Sequence, residues 1–307
     1  MTPTPLSAVI DLGSNSFKLK IARFASGQWH RVDFVKETLR LGQGLQSDGM
    51  LSEQAMLAGW QCLQRLRQHL AHHHPAKVRA VATQTLREAR NRAAFLEKAE
   101  QILGVPIEVL SGEGEASLIY QGVAHWLPQT PERRLVIDIG GRSTEIIYGQ
   151  GHTPLRLQSC PVGNLSLSMK YFPDKQWTPD AFQQAQAEAR ALLGKAHAVY
   201  APGDWDAAYG ASGSVSAISE ALTAVGGPTG QVTAEGLQWL QAELIEAGQP
   251  SNLRLKGIPA HRHDVIGGAL SVLCAAFELF PLQSLQLAAG GLTYGVLCEN
   301  ATISRLR

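Results

Sequence analysis

The 307 residues carry 45% hydrophobic and 17% charged side chains, a globular balance with enough apolar material for two ordinary domains. Lysine and arginine (27) almost equal aspartate and glutamate (26), giving a net charge of +1 that excludes whole-molecule attraction to nucleic acid or an anionic membrane; any anion has to be caught locally. Four scattered cysteines (Cys62, Cys160, Cys274, Cys298) without a CxxC pair read as buried thiols of a reducing compartment rather than as a disulfide or zinc framework.

The N-terminal stretch MTPTPLSAVIDLG lacks a basic segment followed by an apolar run and a small-residue cleavage site, so no leader is expected. Residues 9–21 then read VIDLGSNSFKLKI and residues 136–148 read VIDIGGRSTEIIY. At a constant offset of 127, Val9, Ile10, Asp11, Gly13 and Ser16 match Val136, Ile137, Asp138, Gly140 and Ser143. Each copy is an apolar strand ending in Asp, a Gly/Ser turn and a second strand; Phe17, Leu19 and Ile21 alternate with Lys18 and Lys20 as a half-buried strand does. A duplicated domain follows from the echo.

Between the copies the spacing predicts a helix from Ser52, a natural N-cap, to His73, with Met56, Trp60, Leu63, Leu66 and Leu70 on one face. A strand at Val78–Thr83, a helix at Asn91–Leu103, a strand at Pro106–Leu110 and a helix at Glu113–His125 come next. His69 and His73 stand at i, i+4 in a run of histidines, but no carboxylate or cysteine accompanies them in sequence, so a solvated helix end is expected rather than a metal pair. The stretch LPQTPERR, Leu127–Arg134, is the expected boundary, dividing the chain into 1–126 and 127–307. Beyond it, helices are expected at Asp180–Val199, Ser214–Ala224, Ala234–Ala247 and His263–Phe280, and strands at Ala207–Tyr209 and Leu285–Leu287. The most apolar long run, Val265–Phe280, contains Glu278 and falls short of the roughly 20 residues a bilayer span needs. Strands alternating with helices make the class α/β.

The turns carry the chemistry. Consecutive backbone amides in a glycine turn form a concave anion nest if Gly takes positive φ. Ser143 and Thr144 add hydroxyls, and Asp138 and Glu145 are oxygen ligands suited to a hard cation. A tight hairpin with a solvated Asp is the plainer alternative, which the second nest, Gly13, Ser14, Asn15 and Ser16, makes less economical. In SGEGEA, Ser111–Ala116, the acids Glu113 and Glu115 open a helix; they are either simple first-turn acids or working carboxylates. Arg87 in TQTLREA is either a bidentate phosphate ligand or a surface ion pair. Ser212 and Gly213 precede a helix start, another amide-rich anion site.

Taken in order, DLGSN (11–15), TLREA (85–89), SGEGEA (111–116), VIDIGGRSTE (136–145) and GASGS (210–214) resemble the exopolyphosphatase / guanosine pentaphosphate phosphohydrolase family over nearly the whole chain. The resemblance implies duplicated actin-like ATPase domains of the ribonuclease H-like type flanking a cleft, in the short two-domain form. It implies a cytoplasmic, Mg²⁺-dependent phosphohydrolase of polyphosphate or guanosine pentaphosphate, with homodimers common among relatives. Glu115 falls on the family's water-activating glutamate, and Asp138 and Glu145 on its Mg²⁺-associated acids. Gly13 to Ser16, Arg87, Gly140, Gly141, Ser143, Thr144, Ser212, Gly213 and Arg262 fall on its phosphate channel.

Three departures stand out. Arg142 replaces the third glycine of the second nest, Gly114 interrupts the paired acids before Glu115, and Thr293 stands where relatives commonly carry Arg. If its position demands positive φ, Arg142 costs about 1 kcal/mol or more in strain; its guanidinium is otherwise a further substrate contact. These departures keep a weakly active or inactive anion- or alarmone-binding regulator as the alternative to a hydrolase.

Overall fold

The structure, a computed structural model, describes residues 5–198, 200 and 203–305. Residues 1–4 of the stretch expected to carry no leader, and Val199 at the end of an expected helix, lie outside them. The chain divides into two compact units, Met1–Gly122 with Leu292–Arg307, and Val123–Gly291.

The first unit opens with strands β1 (Leu6–Leu12), β2 (Ser16–Ala25) and β3 (Gln28–Thr38), then helix α1 (Glu53–His73) and strand β4 (Lys77–Ala82). Helices α2 (Gln84–Glu88) and α3 (Arg92–Leu103), strand β5 (Ile107–Val109) and helix α4 (Gly112–Ala124) follow. The sheet order is β3-β2-β1-β4-β5, with β1 antiparallel to β2 and parallel to β4. Ser52 caps α1 as its sequence indicates, accepting the Ala55 N–H, and the helix stops at His74, whose left-handed backbone (φ 47°) ends the repeat. Its buried stripe, Cys62, Leu63, Leu66 and Leu70, packs on Ile10, Leu12, Leu19 and Ile21. The histidines do meet a carboxylate that linear spacing hides. Asp33 on β3 lies 3.0 Å from His73 Nε2 and 3.4 Å from His69 Nδ1. No group of three or more such side chains among the described residues has the arrangement of a metal site.

The second unit repeats the plan: β6 (Arg133–Ile139), β7 (Thr144–Gln150), β8 (Thr153–Cys160), α5 (Asn164–Tyr171), α6 (Pro179–His197), β9 (Ala207–Gly210) and α7 (Gly213–Ala224). Then come β10 (Gln231–Thr233), α8 (Ala234–Ala247), α9 (Ile266–Leu279) and β11 (Ser284–Leu287). Its sheet runs β10-β11-β9-β6-β7-β8. Without the added edge strand β10, this is the first sheet's order again. Both units therefore have the actin-like arrangement, and the duplication inferred from thirteen-residue echoes extends to whole sheets.

Helix α9 accounts for the most apolar run without a membrane. It is buried nearly all round inside this unit, and no helix among the described residues is long and apolar enough to cross a bilayer. Gly267 and Gly268 let α5 come close: a Cβ on Gly268 would lie 2.2 Å from the Asn164 carbonyl oxygen.

The expected partition needs one correction. The unit boundary falls at Gly122/Val123, in the last turn of α4, and the final helix α10 (Leu292–Arg305) packs with the first unit instead of closing the second. Val296 and Leu297 join Val9, Ala22, Val81, Leu110 and Leu118 in one buried cluster. Gly295 permits this, since a Cβ there would stand 1.8 Å from the Leu118 carbonyl oxygen. Such pairing is invisible to linear segmentation because it joins chain ends through the fold.

Helix α10 also covers Lys20, which is 8% exposed and lies 3.4 Å from the centre of the Tyr294 ring. Burial, helped by Lys18 and Arg31, pushes its ammonium from 10.5 down to about 7. Between those values the unfolded chain holds a proton that the native chain does not, so stability rises with pH. We expect the wild type to gain stability from about pH 7 to pH 9 in urea titrations, and Lys20→Met to flatten that rise; an unchanged slope would remove Lys20 as its cause. Gly295→Ala is expected to cost ~1–3 kcal/mol through overpacking and to lower the melting temperature by several degrees. An unaltered melting curve would mean that α10 is not held by this approach.

Candidate active site

The two glycine turns are built alike, for a reason other than the expected one. A Cβ on Gly13 would lie 2.9 Å from Ser16 O, and one on Gly140 would lie 3.0 Å from Ser143 O. Glycine is required by close approach across the turn. Gly13, Gly140, Gly141 and Arg142 all lie outside the positive-φ region, so the expectation of left-handed nests is corrected and Arg142 carries no such strain.

Both turns are held from behind by backbone. Ser14 O accepts from the Gly42 amide (2.9 Å), and Asn15 O from Leu39 (3.1 Å) and Arg40 (2.8 Å). Gly140 O accepts from Asn164 (3.0 Å), and Gly141 O from Leu165 (2.8 Å) and Ser166 (3.1 Å), at the start of α5. In a trans peptide the next residue's N–H points opposite the carbonyl. The Asn15, Gly141 and Arg142 amides are thereby aimed away from the anchoring elements. The Arg142 amide thus takes the direction that a glycine amide would take there. The anchoring segment of the first turn escaped sequence reasoning. Arg40 adopts a left-handed backbone (φ 54°), and the closely spaced Gly42 and Gly44 after the hairpin were its only signal.

Side chains divide between holding the turns and facing outward. Ser14 Oγ accepts from the Thr85 amide at 3.3 Å, Ser16 Oγ lies 3.4 Å from Thr38 Oγ1, and Asn15 Oδ1 is buried without a protein partner. Thr144 is fully buried, and its hydroxyl donates to Val162 O at 2.7 Å. That hydroxyl is therefore a brace for the turn, which corrects its reading as a phosphate donor. Ser143 is buried at 3% exposure.

The acids of α4 separate cleanly. Ser111 Oγ caps the helix by accepting the Gly114 N–H at 3.0 Å; Glu113 is exposed, whereas Glu115 is 6% exposed. Arg87 Nη1 lies 3.1 Å from Glu115 Oε2 and donates to Leu110 O at 2.7 Å, while Nη2 donates to Gln84 Oε1. The two residues singled out independently are thus a pair. A buried carboxylate needs such compensation, and the start of a helix favours negative charge as well. This geometry makes Arg87 the partner of the carboxylate before it is anything to a phosphate.

In the second unit, Asp138 stands directly opposite Glu145 across β6 and β7. At the equivalent place in the first unit Asp11 faces Lys18, joined at 2.9 Å. Like charges opposite one another in a sheet destabilise it, and a divalent cation removes that cost. Glu145 is 1% exposed and accepts from Ser159 Oγ at 2.8 Å; Gly291, in left-handed backbone (φ 104°), brings the chain within 3.8 Å of Asp138 Oδ2 at its Cβ position. Two hard carboxylates fit Mg²⁺, which usually binds through one or two acids plus substrate phosphates.

At α7, Ser212 Oγ accepts from the Ser214 and Val215 amides, both at 3.2 Å, so part of the expected amide cradle is consumed by its own cap. Gly213 makes room for Arg262: a Cβ there would fall 2.1 Å from the guanidinium Nη2. Burial pulls Arg262 below its ordinary value, with Glu220 opposing through its charge, and no described acid lies within ion-pair distance of it. A half-buried cation beside a helix N-terminus is unfavourable on its own and is relieved by an anion.

Glycine turns with outward amides, a compensated buried glutamate and a guanidinium set on a helix N-terminus define an actin-like protein equipped for phosphate chemistry. The sequence matches the Ppx/GppA phosphatase family over residues 20–302, and the chain belongs to that family. An exopolyphosphatase-like protein of known structure is similar at 24% identity over 96% of this chain and 97% of the other, with a TM-score of 0.85. The Ppx/GppA family member of Aquifex aeolicus matches at 24% identity over 98% and 99%, TM-score 0.79. An exopolyphosphatase from Cytophaga hutchinsonii matches at 22% identity over 96% and 97%, TM-score 0.84. At these identities the structures speak for the fold.

Arg262→Gln is expected to weaken inorganic phosphate binding roughly tenfold or more, the size of a charge-assisted hydrogen bond, in calorimetric titration. Because it removes a desolvated cation, it is also expected to raise the melting temperature without phosphate and to shrink the rise that phosphate produces. A melting temperature that falls in phosphate-free buffer would refute this account of Arg262.

Proposed function

We propose that this chain hydrolyses the terminal phosphoanhydride of inorganic polyphosphate or of guanosine pentaphosphate. The observation that carries the reading is the buried Glu115 at the head of α4, charge-compensated by Arg87 at 3.1 Å. A carboxylate takes a proton from water only when ionised, and a buried one needs its charge compensated. In the proposed reaction Glu115 accepts a proton from water as its oxygen bonds the terminal phosphorus. The bridging P–O bond breaks, and the shortened anion leaves. Within the second unit the Gly141 and Arg142 amides, Ser143, Gly213 and Arg262 are the proposed donors to phosphate oxygens, and within the first the Gly13–Ser16 turn is built in the same way. Such preorganised donors are the main source of rate in phosphoryl transfer. Asp138 and Glu145 would hold Mg²⁺, which when bound neutralises charge on the phosphate oxygens.

Glu115→Gln keeps the size of the side chain and removes its basicity. It is expected to lower phosphate release from long-chain polyphosphate by about 10²–10⁴-fold, with binding changed only severalfold. Glu145→Gln is expected to raise the Mg²⁺ concentration needed for half-maximal rate. Wild-type protein that binds polyphosphate tightly yet releases no phosphate at any Mg²⁺ concentration would replace the hydrolase reading with that of an anion-binding regulator.

A further inference from the structure

The side chain of Asn164, the first residue of α5, is 3% exposed and lies between the second glycine turn and the start of α7. Its Nδ2 donates to Ser214 Oγ at 2.8 Å and reaches the Ile139 carbonyl at 3.5 Å; its own backbone amide anchors Gly140 O. The amide orientation follows from these partners, because a flipped side chain would set Oδ1 against the Ile139 carbonyl oxygen. Ser214, also 3% exposed, thus accepts a hydrogen bond from Asn164, and its backbone amide is spent on Ser212 Oγ. A hydroxyl that accepts at its oxygen retains one proton to donate. No described protein acceptor takes that proton, on a helix turn shared with Gly213 and the Arg262 guanidinium.

We propose that Asn164 is a positioning residue of the anion site, which holds the Ser214 hydroxyl as a hydrogen-bond donor to a bound phosphate oxygen while tying the second glycine turn to the start of α7. Serine hydroxyls rotate freely and can present either proton or lone pair; an amide donor behind the oxygen removes the choice. The proposal adds Asn164 and Ser214 to the phosphate-binding groups and rests on the hydrolase reading only for the identity of the anion. Asn164 Oδ1, buried and without a protein partner, marks the side chain as placed for its Nδ2 bond rather than for full satisfaction of its own polar atoms, a local cost characteristic of a functional position.

The test is a double-mutant cycle, with phosphate release from polyphosphate and calorimetric binding of inorganic pyrophosphate as separate readouts. Ser214→Ala is expected to raise KM and the pyrophosphate Kd roughly ten- to hundredfold, as loss of a hydrogen bond to a charged group does, with kcat changed much less. Asn164→Ala is expected to raise both about three- to tenfold, and Asn164→Ala with Ser214→Ala to be no worse than Ser214→Ala alone. Near-isosteric Asn164→Asp, which presents only acceptors to Ser214 when ionised, is expected to match or exceed the Ser214→Ala loss at pH 8. It should recover part of it near pH 5, where a protonated acid can donate again. Independent, multiplicative losses in the cycle would overturn the proposal, as would Asn164 variants that lower the melting temperature without moving KM or Kd. A wild type that binds pyrophosphate but releases no phosphate ends the hydrolase reading and leaves the cycle decisive through Kd. A wild type that binds neither ends both.

Discussion

Both glycine turns depend on one backbone constraint, met twice: the carbonyls of a hairpin turn are gripped from behind by amides of the fold. In the first unit the grip comes from the segment at Leu39–Gly42; in the second it comes from the start of α5. Once Gly140 O and Gly141 O are held, the following N–H groups have their direction imposed by peptide planarity. The donors are therefore set by helix and sheet packing, and not by the side chains of the turn. The constraint passes deeper still, because α5 reaches the turn only where Gly268 lets its backbone close on α9. A glycine in an apolar helix thereby helps to aim a turn amide away from the fold.

Duplication preserved that backbone and let the charges diverge. At matched positions of the two hairpins, Asp11 faces Lys18 and Asp138 faces Glu145. The first pair is an ion pair within the protein, and the second sets carboxylate against carboxylate across the hairpin, an arrangement that costs stability by itself. The Glu115–Arg87 pair is likewise internally compensated, while Arg262 lies against Gly213 with no acid at ion-pair distance. The two units thus share a fold and differ in their electrostatics. The matched hairpins keep one backbone while carrying opposite charges in the first unit and like charges in the second.

Much of this was legible in the linear chain. The 127-residue offset between VIDLG and VIDIG exposed the repeat, since strand, turn and strand are local structures with local signals. The place of Ser52 at the head of α1 was equally readable. Local pattern could not distinguish Glu113 from Glu115, both first-turn acids; burial decided between them, and burial is set by what packs on α4. Nor could it find that Arg87 meets Glu115, that Asp33 meets His69 and His73, or that α10 returns to the first sheet, because each contact joins distant parts of the chain. The short elements β10 and α2 carry too few residues to express a period.

The glycine turns are where sequence and structure part most instructively. Glycine in a turn reads as a licence for positive φ, and Arg142 then looks like damage to the second nest. The turns instead use glycine at Gly13 and Gly140 for a carbonyl that approaches within about 3 Å of where a Cβ would be. That demand falls on the first turn residue alone and leaves the third free to carry a side chain. Arg142 therefore keeps the one feature the turn needs from it, an amide pointing away from the Gly141 anchor. The departure from the family's triple glycine leaves the direction of that amide unchanged, and it gives no structural reason to prefer a silent binding protein over a hydrolase.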